Sequence, residues 1–96
     1  MNDLQQILKK LKESKAYLQS KYGVKELAVF GSYVRGEQGA VSDVDILVTT
    51  EKPLGLEFVD LADELESILQ LKVDLVSSGG IKPRYMAEIR EELRYA

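Results

Sequence analysis

Val29-Phe30-Gly31-Ser32-Tyr33-Val34-Arg35-Gly36, followed after a short spacer by Ser42-Asp43-Val44-Asp45-Ile46-Leu47-Val48, is the stretch that decides the fold of this chain. It is entered through Leu27-Ala28-Val29-Phe30, an apolar run too brief for a helix and closed by a glycine, which reads as a buried strand. Ser32 to Gly36 has room for one helical turn, with Ser32 placed to cap it. Gln38-Gly39 opens a loop that ends at Ser42. Val44 to Thr50 is apolar and β-branched, so a second strand is expected over residues 43 to 49.

Working outward, Leu4, Ile7, Leu8, Leu11 and Leu18 recur at helical spacing ahead of Gly23, which predicts an amphipathic helix over residues 3 to 22 with a glycine stop. Downstream, Pro53 and Gly55 close the second strand. Phe58, Leu61, Leu65, Ile68 and Leu69 then form a helical stripe within residues 56 to 71. Lys72 to Val76 reads as a third strand and Ser78-Gly79-Gly80 as a turn. Met86, Ile89 and Leu93 read as the inner face of a last helix starting near Pro83, and Tyr85 beside them reads as core rather than docking surface. The expected order is α-β-α-β-α-β-α. A crossover helix between the second and third strands permits parallel pairing, giving a small mixed β-sheet of the α/β (α+β) class with helices mainly on one face.

At 96 residues the chain is expected to form a single domain, residues 1 to 96. Without Cys or His it can build no disulfide, thiolate zinc site, cysteine nucleophile or histidine base, so any metal must sit on oxygen. The net charge of −3 disfavours a long nucleic-acid substrate, which would require a basic surface. Lys9, Lys10, Lys12, Lys15 and Lys21 read as the solvated face of the first helix. No apolar run approaches the roughly 20 residues of a membrane span, and Met1-Asn2-Asp3-Leu4 lacks the layout of a signal peptide, so a cytoplasmic location is expected.

Asp43 and Asp45 lie two apart at the head of a strand, so their side chains point to the same side. Two such charges repel unless they share a proton or are neutralised by a cation. Asp74 interrupts Val73-Asp74-Leu75-Val76, where a lone carboxylate costs several kcal/mol unless paired or metal-bound, an order of magnitude set by desolvation. Each aspartate has an ordinary explanation by itself: a turn residue for Asp43, an exposed strand face for Asp45, an ion pair for Asp74. Together, three oxygen ligands from adjacent strands suit magnesium, which takes its remaining ligands from water and substrate phosphates. Two such ions could serve an in-line displacement at phosphorus. Gly31-Ser32, between a strand and a helical turn, offers free backbone N–H groups and a hydroxyl to phosphate, or is simply a capped turn. Arg35 either reaches the same phosphate or pairs with an acidic neighbour.

Taken as a whole, the apolar strand, Gly31-Ser32, a spacer of ten residues and Asp43-Val44-Asp45 closely resemble the nucleotidyltransferase signature of the DNA polymerase β superfamily. With Asp74 on the following strand, the resemblance covers roughly residues 25 to 78. The short length is similar to that of the minimal nucleotidyltransferases (MNT), commonly encoded beside a helical HEPN protein as toxin–antitoxin pairs. That resemblance implies an antitoxin that moves AMP from ATP onto a tyrosine of a HEPN toxin and so silences an RNase. Gly31 and Ser32 would hold the triphosphate with Arg35 beside them. Asp43 and Asp45 would bridge two Mg²⁺ ions, and Asp74 would bind one ion and accept the proton of the incoming hydroxyl. So small a sheet offers little concave surface for base and acceptor, so a partner is expected to complete the site. The alternatives are a module that neutralises a HEPN partner by contact alone, and nucleotidyl transfer to a small molecule.

Overall fold

The computed structural model describes residues 3–39 and 42–96. Residues 1–2 and 40–41, which include part of the loop expected after Gln38, lie outside the described residues. Helix α1 spans Leu4–Tyr22; the Asp3 carboxylate caps it by accepting from the Gln6 N–H at 2.9 Å, and Gly23 stops it at φ 72°. Strand β1 follows at once over Val24–Phe30, three residues longer at its start than the apolar run indicated. Lys25 and Glu26 are exposed there, and their charges hide the beginning of the strand from a reading based on apolar runs. Then come α2 (Ser32–Arg35), β2 (Val44–Thr50), α3 (Glu57–Leu69) and β3 (Val73–Ser77).

The last segment departs from expectation. Helix α4 covers only Pro83–Ile89, a 3₁₀ turn follows over Arg90–Glu92, and Arg94–Tyr95 forms a two-residue strand, β4. The sheet order is β3-β2-β1-β4, with β1 antiparallel to both β2 and β4 and β2 parallel to β3. The expected parallel pair is therefore present, and a fourth strand is added at the far edge.

Alternation along the strands sorts the core into two layers. Val24, Leu27, Val29, Val44, Ile46 and Val48 face α1 and α3, packing with Leu11, Leu18, Leu61 and Leu65. Ala28, Phe30 and Leu47 point to the other face, where α4 and the turns on either side of it cover them through Ile81, Met86, Ile89 and Leu93. Most helix mass thus lies on one face, and the second face stays open at the end where β2 and β3 begin. Leu65 is fully buried in the larger layer. Leu65→Ala is expected to lower the free energy of unfolding by about 2–5 kcal/mol, the usual cost of a buried leucine side chain. Urea denaturation measures it, and a loss under about 1 kcal/mol would show that this layer collapses around the deletion or is less tightly packed than described.

Candidate active site

Three strand ends meet at the open part of the second face. Phe30, the last residue of β1, is paired with Asp45 near the start of β2, and Asp45 is paired with Asp74 near the start of β3. Because paired residues share a face, Asp45 and Asp74 point together into the space that α4 leaves uncovered. Asp43 precedes β2 by one residue and is exposed. Burial first, then the charge and hydrogen bonding of Asp74, then the charge of Asp43 push the Asp45 carboxyl up to about 6. The three aspartates singled out from the sequence are thus electrostatically coupled. Among the described residues they do not form a ready-made cage for a metal ion.

The desolvation expected at Asp74 falls on Asp45 instead. Strand β3 is a sheet edge and Asp74 is exposed, so it carries no burial cost, whereas Asp45 sits half-buried on an inner strand. The donor set remains oxygen only, and mutual repulsion among these carboxylates is the condition that a divalent cation relieves, so the residues fit a magnesium ion.

Gly31 lies directly against Asp45. Its backbone adopts φ 80°, ψ −149°, and a Cβ placed on it would stand 2.0 Å from Asp45 Oδ2 and 3.0 Å from Cγ. Only glycine accommodates both the conformation and the carboxylate. Gly31, not Ser32, is the N-cap of α2, and no side chain caps this turn. The capping expected of Ser32 is therefore absent, because Ser32 already has helical backbone. The Ser32 N–H and hydroxyl find no protein acceptor among the described residues, and both stay available.

Arg35 is engaged by acids: Nε donates to Glu37 at 2.8 Å and Nη1 to Glu92 at 2.6 Å. Those carboxylates hold the guanidinium more firmly charged. The second Glu92 oxygen accepts from the Gly31 N–H at 3.1 Å. The Arg35 pairing, more than the Gly31 N–H, keeps the Glu92 carboxyl below the usual range.

A cavity of about 260 Å³ opens here, walled by Phe30, Gly31, Arg35, Asp45, Tyr85 and Glu92 among others. Tyr85, taken from the sequence as core, is 44% exposed and meets Phe30 edge-to-face with ring centroids 6.3 Å apart. Burial, then the charges of Asp45 and Asp74, raise its phenol pKa, which places it within the field of the aspartates. Ser32, Asp43 and Asp74 border this region without lining the cavity. A larger hollow of about 370 Å³ lies at the opposite end of β2 and β3, around Thr50, Phe58 and Ser77 to Gly80. Among the described residues no ionisable side chain lines it, and a shallow hollow of about 570 Å³ around Lys21, Tyr22, Asp60 and Glu64 has acidic groups but lies apart from the glycine turn and the strand-end aspartates, so the chemistry is placed in the smaller cavity. Sequence reasoning missed Tyr85 and Glu92 because their place in the site depends on the course of the C-terminal segment.

Comparison with known proteins agrees with the fold. The family model described as "Nucleotidyltransferase domain" matches residues 8–96. Protein adenylyltransferase MntA of Thermococcus cleftensis is 43% identical over 96 residues, covering 99% of this chain and 97% of its own. A Methanocaldococcus jannaschii chain, named as a candidate protein adenylyltransferase, is 45% identical over 97 residues and covered to 99% on both sides. A solved structure described as a candidate minimal nucleotidyltransferase superposes with a TM-score of 0.78 at 34% identity, covering 97% of this chain and 95% of that one. A toxin–antitoxin crystal structure with AMP-PNP gives 0.71 at 26% identity, covering 95% of this chain and 69% of that one. No described helix is long and apolar enough to cross a membrane.

Proposed function

Because the chain belongs to the nucleotidyltransferase domain family, we propose that it transfers AMP from ATP to a hydroxyl of a partner protein, acting as the antitoxin of a helical HEPN toxin in the cytoplasm. The observation that carries this reading is the placement of Asp45 against Gly31 on one side and beside Asp74 on the other. It puts a side-chain-free turn and Asp45 in one cavity wall, with the repelling Asp74 beside them at its border, the parts that a triphosphate and its cation need. Relatives named as protein adenylyltransferases support protein as the acceptor, and the AMP-PNP complex of a structural neighbour supports an adenine nucleotide.

In this reading the Ser32 N–H and hydroxyl donate to the triphosphate, and the bare Gly31 lets phosphate approach the backbone. Asp43, Asp45 and Asp74 would hold Mg²⁺, which when bound offsets the charge of the polyphosphate and of the carboxylates together. Asp74, exposed at the sheet edge, is reached by an acceptor from solvent and takes the proton of its hydroxyl. One O–P bond forms at the α-phosphorus as the bond to pyrophosphate breaks. Arg35 lines the same cavity, and its charge partly offsets the repulsion at Asp45. The small, open cavity leaves the acceptor to be presented by the partner.

The test is incubation with Mg²⁺, ATP labelled on its α-phosphate, and the product of the adjacent gene, with Asp43→Ala/Asp45→Ala alongside. Covalent label on the partner, absent with the variant, is expected. A stable complex without transfer, repeated with other nucleotides, would overturn the catalytic reading and leave neutralisation by contact.

A further inference from the structure

We propose that Glu92 is a positioning residue for nucleotide binding: its carboxylate clamps Gly31 and Arg35 together and so fixes the turn that presents Ser32 to phosphate. The inference rests on the nucleotidyl-transfer reading above. Its basis is the split use of one carboxylate, with Oε2 accepting from the Gly31 N–H and Oε1 from Arg35 Nη1, across some sixty residues of sequence.

The clamp is anchored from behind. Just after Glu92 the chain enters β4, where Arg94 and Tyr95 pair with Val29 and Ala28, and the Ala96 N–H donates to the Leu27 carbonyl at 2.9 Å. Lys15 Nζ donates to the Ala96 carbonyl at 3.1 Å, tying that end to α1. Glu92 is therefore held by the strand that leads into Gly31, and the carboxylate reports to the turn through a rigid edge rather than a free tail. A short strand at the sheet edge, with little apolar burial of its own, thereby gains a role at the site.

The geometry separates this role from competition with substrate. Glu92 takes the Gly31 N–H, while the Ser32 N–H and hydroxyl stay without protein acceptors among the described residues. The Gly31 carbonyl accepts from the Val34 and Arg35 N–H groups, at 3.0 and 3.2 Å, so Gly31 is fixed through both of its backbone polar groups. Held this way, a residue that only glycine can occupy keeps Ser32 oriented without a side-chain cap. Arg35, shared between Glu37 and Glu92, keeps α2 from rotating away from the strand ends.

The experiment compares wild type, Glu92→Ala and Glu92→Gln in steady-state transfer to the partner with Mg²⁺·ATP varied, together with amide hydrogen exchange at Gly31 in the chain alone. Glu92→Ala is expected to raise KM for ATP about tenfold while kcat changes under about threefold, the pattern of lost ground-state positioning, and to speed exchange at Gly31. Glu92→Gln keeps an acceptor for the Gly31 N–H and is expected to fall between. An unchanged KM in folded Glu92→Ala overturns the proposal. So does a lowered KM, which would make the carboxylate a competitor of phosphate. A wild-type chain without transfer overturns the function proposed above instead. The Gly31 amide then decides the clamp alone, unaltered exchange in Glu92→Ala overturning it.

Discussion

Gly31→Ala is expected to destabilise the protein by about 2–4 kcal/mol and to lower nucleotidyl transfer at least about 100-fold, the first from backbone strain plus steric conflict and the second from misplacing a reacting group. The backbone at φ 80°, ψ −149° is open to glycine alone, so alanine must first pull the turn out of shape. If the turn resists, the new methyl meets Asp45 Oδ2 at 2.0 Å and Cγ at 3.0 Å, and Asp45, a short side chain on an inner strand, has little freedom to withdraw. Gly36→Ala is the matched control. Its φ of 72° is also left-handed, but nothing lies within 4 Å of the added carbon, so it is expected to cost only about 1 kcal/mol and to leave transfer within a few-fold. Pairing Gly31→Ala with Asp45→Ala removes the carboxylate from the clash, and Gly31→Ala is then expected to cost less than it does in the wild-type background. An equal loss in both backgrounds in denaturant titrations would show that the glycine is required by its backbone alone and that the contact with Asp45 is incidental.

The reason Gly31 and Asp45 could be found in the sequence is that both belong to short local patterns. A strand closed by glycine and a carboxylate pair spaced by two are written in consecutive residues, and the parallel partner that brings Asp74 alongside follows from a crossover helix of ordinary length. Edge or centre, by contrast, is a property of the whole sheet. The apolar neighbours of Asp74 suggest burial, but among the described residues β3 has no strand on its outer side, and the exposed carboxylate is the result. The C-terminal segment shows a related limit. Met86, Ile89 and Leu93 do form one apolar cluster, as their spacing indicated, although the helix stops at Ile89 and Leu93 reaches the cluster through a 3₁₀ turn. Strand β4 is two residues long, charged and exposed, with no alternation to detect, and Glu92 gains its partners only when that strand docks.

Asp45→Asn is expected to make the metal-free protein more stable at neutral pH while reducing transfer about 100- to 1000-fold, the scale seen when one group that stabilises transition-state charge is removed. The two effects have one cause. Asp45 carries a charge that burial, Asp74 and Asp43 all oppose, and its carboxyl is raised from 3.8 to about 6. A raised folded-state value means that the protonated form suits the fold better. This group's contribution to stability is therefore fully present below pH 3.8 and is lost as pH rises through about 6. In EDTA, the advantage of asparagine over aspartate should accordingly be absent near pH 4, grow between pH 4 and 6, and level off above, at about 1 kcal/mol once solvent screening of this half-exposed group is allowed for. That corresponds to a few degrees in Tm for a domain of this size. Mg²⁺ with ATP should reverse the order at neutral pH, raising the Tm of the wild type and not of the variant, because only the wild type gains a ligand. An asparagine variant that is less stable than wild type in EDTA at pH 7 would mean that the carboxylate is paired for structure, and the argument that its charge awaits a cation would fail. The excess negative charge at the junction of β1, β2 and β3 is an energetic cost to the free protein, and a bound polyphosphate–metal complex is the ligand whose charge would turn that cost into affinity.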